Sequence, residues 1–298
     1  MTRGRGTLFG AIAIAAWSCY GVLLASNKVT PPFMSMAVVF TCATVTLLVW
    51  RLGRGEGFAG LFPVPVPTLL LGFLGLFGSN CLYPISLALG GQPVQVNMAS
   101  LSWPVFMAVF VVVFRVAKAT WLDGLAMLIG FAGVVLLATK GGGLAIDWPV
   151  VPAFVGALCW AALSALRNKV PPGPRDVMLH FVAVSGLACW LIVILFEGFT
   201  LPPLNEFLRL AAIGILPVGL ANYLWDRATR FGDPVLLAGM SFLEPVASTA
   251  LIAIVLSQPV GWSDAAALAL ILLAVSFSVM SERLRRRHAS LQSAALPS

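Results

Sequence analysis

The sequence predicts an all-α polytopic membrane protein with ten transmembrane helices, arranged as two inverted five-helix repeats. The chain is 60% hydrophobic and 10% charged, with a mean hydropathy of +0.98. No soluble domain has such a composition. Its apolar stretches are of membrane-crossing length, roughly 20 residues. Its second half also repeats the first. Gly91-Gln92-Pro93-Val94 answers to Gly232-Asp233-Pro234-Val235, Trp103-Pro104-Val105 to Glu244-Pro245-Val246, and Trp121-Leu122-Asp123 to Trp262-Ser263-Asp264, all at an offset of 141 positions. With small slips, Trp17 pairs with Trp160, Asn27-Lys28-Val29 with Asn168-Lys169-Val170, and Asn80 with Tyr83 matches Asn222 with Trp225. Five spans per half is an odd number, so the second half lies upside down relative to the first. Inverted repeats place a transporter's substrate site at the repeat interface near mid-membrane.

The predicted spans are 7–26, 34–52, 67–89, 94–114, 120–139, 150–168, 177–196, 206–228, 234–256 and 262–281. The first follows the basic Met1–Gly6 and is too long for the apolar core of a signal peptide. The second begins after Pro31-Pro32. The third carries Gly72, Gly75 and Gly78, a stripe of small residues that lets a neighbouring helix approach closely. Gly90-Gly91 turns it into the fourth, which holds Pro104 near its middle. The fifth opens on Trp121 and Asp123, and its counterpart the tenth on Trp262 and Asp264. In both, the indole suits the membrane interface and the carboxylate suits the first turn of a helix. Gly141-Gly142-Gly143, Pro171-Pro172-Gly173 and Pro202-Pro203 punctuate the later connections. The first repeat is thus residues 1–139, the linker 140–149 and the second repeat 150–281. Residues 282–298 form a basic cytoplasmic tail, expected to be disordered beyond its arginines.

Net charge is +7, but its distribution excludes a nucleic-acid binder. With the N-terminus in the cytoplasm, the inner ends carry Arg3, Arg5, Arg51, Arg54, Arg115, Lys118, Arg167, Lys169, Arg175, Arg227, Arg230 and the cluster Arg283, Arg285, Arg286 and Arg287. The outer ends carry only Lys28, Lys140 and Arg209. This is the positive-inside pattern, with both termini cytoplasmic. Lys28 falls outside and its repeat partner Lys169 inside, which supports the inversion independently. Cys19, Cys42, Cys81, Cys159 and Cys189 sit singly in apolar stretches and read as small buried fillers. No spacing suggests a metal site or cofactor. HExxH, GxSxG, paired intramembrane aspartates and a histidine cluster are all missing, so an enzyme is not expected.

Polar and aromatic residues at mid-membrane depth are the functional candidates, because polar groups are costly there. Trp17 and Trp160 sit near the middle of spans one and six, and the pseudo-twofold relation makes them face each other. Asn80 with Tyr83 and Asn222 with Trp225 occupy matching places in spans three and eight. Each amide needs a partner, from another helix or from substrate. Trp103-Pro104 and Glu244-Pro245 lie within spans four and nine. A proline there kinks the helix and frees the carbonyl four residues earlier, at Ser100 and Ser241. Pro104 and Pro245 are therefore candidate gating hinges. Glu244 is the sole acidic residue deep inside a span, and no Lys or Arg at comparable depth is available to pair with it.

At these residues the chain resembles the drug/metabolite transporter superfamily, in its ten-helix form built from two five-helix units. The opening Met1-Thr2-Arg3, the run Thr7-Leu8-x-Gly10-x-Ile12-Ala13-Ile14-x-x-Trp17-Ser18, Ser102-Trp103-Pro104 and Phe242-x-x-Pro245 look like the bacterial inner-membrane exporters of aromatic amino acids. That resemblance implies export of phenylalanine, tyrosine, tryptophan and related amphipathic compounds, and of aromatic dications such as methyl viologen, through a central apolar cavity. The positions it implies for the cavity are Trp17, Asn80, Tyr83, Asn97, Trp103, Trp160, Asn222, Trp225 and Glu244, although the family does not demand an acid before the second proline. A multidrug, metabolite or other amino-acid carrier of the same fold is the alternative.

The topology is directly testable. Single cysteines replacing Gly91 and Gly232 are expected to react with an impermeant thiol reagent from opposite faces of the membrane. Reaction of both from one face would rule out the inversion.

Overall fold

The computed structural model describes residues 3–115, 121–139, 147–231 and 243–294. Over these residues the chain is helical, without strands. In chain order the helices are α1 (Arg3–Ser18), α2 (Tyr20–Ala25), α3 (Pro32–Gly53), α4 (Val66–Ala88), α5 (Pro93–Ser100), α6 (Trp103–Val113), α7 (Trp121–Ala138), α8 (Val151–Leu166), α9 (Val177–Ile192), α10 (Leu204–Ile213), α11 (Asn222–Phe231), α12 (Leu243–Val255) and α13 (Trp262–Ala294). Wide π turns extend α9 over Val193–Glu197 and join α10 to α11 over Gly214–Ala221. Prolines start several helices: α3, α4, α5 and α8 each have one at the first or second position, where its fixed φ helps and its missing N–H costs nothing.

Among the described residues, seven stretches are long and apolar enough to cross a membrane: Gly4–Ala25, Pro32–Gly53, Val66–Ala88, Trp148–Leu166, Val177–Glu197, Leu204–Ala228 and Trp262–Ser281. They fall on predicted spans one, two, three, six, seven, eight and ten. Predicted span five is α7. Span nine is represented by α12, since 232–242, with the Gly232 turn and Ser241, lie outside the described residues. Large apolar side chains cover the outside: Phe131 is 66% exposed, Ile194 71% and Ile254 76%. Trp121 and Trp262 also point outward, as expected of interfacial anchors. A surface this apolar is suited to lipid.

Three expectations need correction. Predicted span 94–114 is not one kinked helix but two helices, α5 and α6, separated by Leu101 and Ser102. The Ser102 N–H turns back to the Ala99 carbonyl at 3.2 Å, and its hydroxyl donates to the same oxygen at 2.6 Å. Pro104 has no N–H to offer the Ser100 carbonyl, so α5 stops there. As the second residue of α6, the proline then sits where no donor is needed. The tail also departs from expectation, because α13 runs on through its arginines to Ala294. Glu, Arg, Leu and Ala are good helix formers, and extending an existing helix avoids the cost of nucleation. Of the five cysteines, Cys81 and Cys189 are buried with sulfurs 3.5 Å apart, whereas Cys19 is exposed rather than a buried filler.

The closest packing lies along the glycine stripe of α4. A Cβ on Gly72 would lie 2.2 Å from the Phe181 ring of α9, one on Gly75 2.5 Å from Leu163 of α8, and one on Gly78 2.6 Å from the Cys159 sulfur. In return, Gly156 of α8 lets its backbone approach Gly78 and Ser79. Other helix pairs in close contact include α1 with α11 and α12, α3 with α9, α6 with α8, and α7 with α13.

Gly75→Val is therefore expected to pry α4 from α8 and destabilise the protein by about 1–3 kcal/mol. Gly124→Ala meets nothing within 4 Å and is expected to be neutral. Thermal unfolding of the two purified variants in detergent checks this, and equal midpoints would discount the stripe.

Candidate functional site

Residues of α1, α2, α4, α5, α6, α8, α11, α12 and the Gly214–Ala221 π turn line a cavity of about 110 Å³. Trp17, Asn80, Tyr83, Asn97, Trp103, Trp160, Asn222 and Glu244 all line it, eight of the nine positions expected from the sequence. The ninth, Trp225, stands behind the wall and supports it. Its ring centroid is 5.1 Å from that of Trp17.

Trp17 and Trp160 meet across the cavity edge-to-face, with centroids 6.4 Å apart and planes at 81°. This geometry suits the aromatic quadrupole. The Trp17 indole N–H donates to the Pro217 carbonyl at 3.0 Å. Pro217 lies in the π turn between α10 and α11, where the proline prevents regular helical bonding. The π turn thus supplies the acceptor that fixes the central indole.

The two matched amides behave alike. Asn80 donates to the Leu76 carbonyl at 2.8 Å and Asn222 to the Val218 carbonyl at 3.0 Å, each four residues back on its own helix. Neither amide is inter-helix glue, and no donor reaches either amide oxygen among the described residues. Asn97 is different. It is 3% exposed, and its Oδ1 accepts from the Ser248 hydroxyl at 3.0 Å and the Tyr83 hydroxyl at 3.4 Å, joining α5, α12 and α4. Gly21 makes this cluster possible, because a Cβ there would lie 2.4 Å from Asn97 Oδ1. Ser100, at the break between α5 and α6, also faces the cavity.

Glu244 opens the first turn of α12 and lines the cavity, with Pro245 buried beside it. Sequence reasoning missed Tyr20, Ser79, Pro217 and Ser248. Helical spacing held a signal for two of them. Tyr20 is three residues after Trp17, and Ser248 is four after Glu244, spacings that share a helix face.

A polar network lies at each end of the bundle. At the end carrying the basic residues, Arg51 is 5% exposed and pairs with Asp176. It also donates to the carbonyls of Gly57 at 2.8 Å and Ala59 at 2.7 Å. Arg54 reaches Glu56 and Asp176, both at 3.0 Å, and the Tyr223 hydroxyl at 2.8 Å. Its hydrogen bond holds the Glu56 carboxyl below the usual range. A depressed carboxyl stabilises the fold above its unfolded pKa, and the contribution fades only as pH falls through the folded value. This part of the network is therefore intact at neutral pH. At the opposite end, Glu206 accepts backbone N–H groups from Lys28 at 2.8 Å, Val29 at 3.1 Å and Thr30 at 2.9 Å, together with the Thr30 hydroxyl. Glu197 accepts from Phe33 at 3.0 Å and Met34 at 2.6 Å, at the start of α3. Arg209 holds Asn27 at 3.0 Å.

Comparison with known proteins identifies the family. Residues 147–280 match the EamA-like transporter family. An aromatic amino acid exporter, YddG, of Ancylobacter novellus is 31% identical over 85% of this chain and 90% of its own length. The YddG of Escherichia coli K12 is 28% identical over 88% and 92%. An inner membrane transporter of the same organism, YedA, is 25% identical over 83% and 80%. A solved crystal structure superposes with a TM-score of 0.71 at 28% identity, covering 95% of this chain and 99% of the other. With a multi-pass helical fold and a relative at 31% identity along most of its length, the chain belongs to the EamA-like transporters of the drug/metabolite transporter superfamily.

Proposed function

We propose that this protein is a secondary transporter that exports aromatic amino acids and related amphipathic metabolites across a bacterial inner membrane by alternating access. The observation that carries this reading is the central cavity, walled by Trp17, Trp103 and Trp160 and set with amides and hydroxyls. Aromatic walls suit an aromatic ring, and a few convergent polar groups suit an ammonium and a carboxylate. The exporters named among its relatives agree with this choice. Glu244 on the cavity wall favours a second substrate class, aromatic cations such as methyl viologen.

Residues 1–139 and 150–281 act in this reading as inverted repeats, joined by 140–149, with both termini and the 282–298 tail in the cytoplasm. The helix contacts are consistent with it. If spans one to five are exchanged for six to ten, the pair α4–α8 becomes α11–α1 and α6–α8 becomes α12–α1, while α3–α9 and α7–α13 map onto themselves. Pro104 and Pro245 are then equivalent gating elements. The Arg51–Asp176 network is the cytoplasmic latch, and the Glu206–Glu197 network the outer one. Alternating access opens one while the other holds.

In proteoliposomes, Trp17→Ala and Trp160→Ala are expected to impair phenylalanine efflux strongly while the protein stays folded. Each removes aromatic contact worth roughly 0.5–1.5 kcal/mol beyond its buried area. Trp17→Phe separates the ring from the indole bond to Pro217. Trp121→Ala, on the outer surface, is expected to transport normally. Equal efflux by all of these variants would reduce the tryptophans to packing.

The latches are tested with a cavity cysteine, Ser79→Cys, in a background without the native cysteines. Glu206→Gln is expected to raise its labelling by an impermeant reagent from the outer face, and Asp176→Asn from the cytoplasmic face. A response on the same face for both would refute two opposed latches.

A further inference from the structure

Besides the Asn80 and Asn222 amide oxygens, three polar groups in this cavity lack protein partners among the described residues. The Asn97 amide receives two hydroxyls at Oδ1, which leaves Nδ2 as a buried donor without an acceptor. The Tyr20 hydroxyl, also buried, has no partner either. Glu244 receives no hydrogen bond and faces no cation among the described residues. In a membrane interior such groups are costly when left unpaired. The native fold keeps all three, and all three line one cavity.

Their arrangement is ordered. Tyr20 stands edge-on to Tyr83 with centroids 5.5 Å apart, and Tyr83 reaches Asn97, so the two donors belong to one cluster on α2, α4 and α5. Glu244 lies one turn before Ser248 on the same face of α12, and Ser248 binds Asn97. The acceptor therefore stands beside the donors. The tryptophans of α1, α6 and α8 make up the aromatic part of the wall.

A carboxylate only accepts hydrogen bonds, and an ammonium only donates them. We infer that the cavity holds an α-amino acid in a single orientation, with its carboxylate on Asn97 Nδ2 and the Tyr20 hydroxyl, its ammonium on Glu244, and its ring among the tryptophans. This deepens the aromatic-substrate reading and rests on it. The three attachments diverge from one α-carbon, so the site selects one enantiomer. Analogues that lack either charged group leave part of the polar cluster unpaired, and a site built to bind such groups rejects them strongly.

The test is calorimetric binding of L-phenylalanine, phenethylamine and 3-phenylpropionate to the purified full chain in detergent. Wild type is expected to bind phenylalanine about tenfold or more tighter than either analogue. Glu244→Gln is expected to weaken phenylalanine and phenethylamine about tenfold and to spare phenylpropionate. Tyr20→Phe, and Asn97→Asp, which keeps the acceptor for Ser248 and Tyr83, are expected to weaken phenylalanine and phenylpropionate and to spare phenethylamine. The spared ligand in each case reports an intact cavity. Uniform loss of all three ligands, or phenylalanine binding no tighter than its analogues, overturns the orientation. If wild type binds none of the three, the aromatic-substrate reading itself fails.

Discussion

In a bilayer no water is available to satisfy an open backbone group, so a helix can break only where protein or a cavity takes over. The main interruptions in this protein obey that constraint. The gap at Leu101–Ser102 lies against the cavity, and the Ser102 N–H and hydroxyl both donate to the Ala99 carbonyl of the helix that ends there. The π turn over Gly214–Ala221 gives its Pro217 carbonyl to the Trp17 indole. The second π turn ends in Glu197, whose carboxylate satisfies two open N–H groups at the start of α3. Two of these interruptions lie at the cavity, and the third is met by protein at the bundle end.

The same constraint divides the polar residues into two kinds. At the bundle ends, buried charges are paired: Arg51 with Asp176, and Glu206 with three backbone N–H groups and a hydroxyl. Breaking one member of a buried pair is strongly unfavourable, so these contacts stabilise the packing at each end. In the centre, Asn97 and Tyr20 keep unsatisfied donors, and Glu244 lines the same cavity with no partner among the described residues. In the proposed mechanism, a bound substrate that completes the central set supplies free energy inside the bundle, where it can offset loss of contacts at one end. That is the coupling an alternating-access carrier requires.

Close packing fixes the rest. The glycines of α4 bring α8 near enough to set Trp160 opposite Trp17. Dispersion and shape hold these helices together, since lipid and protein interior are equally apolar. A bulky residue at Gly75 would therefore shift the cavity wall as well as the interface.

Much of this was legible in the sequence. Hydropathy marked the spans, because crossing length is set by bilayer thickness. Repetition paired Trp17 with Trp160 and Asn80 with Asn222, because a duplicated unit places equivalent side chains at equivalent depths. Proline chemistry located the disturbance at Pro104. Helical phase could have added Tyr20 and Ser248. The tertiary structure alone decided the rest. It split span four in two, turned Asn80 and Asn222 back onto their own helices, moved Trp225 behind the wall, and joined Asn97 to Ser248 across 151 residues. It also gave Glu206 and Glu197 their backbone partners more than 160 residues away. The physical reason is that hydrophobic period and span length are local properties of a chain. Which polar atom is left without a partner depends on every neighbouring helix at once.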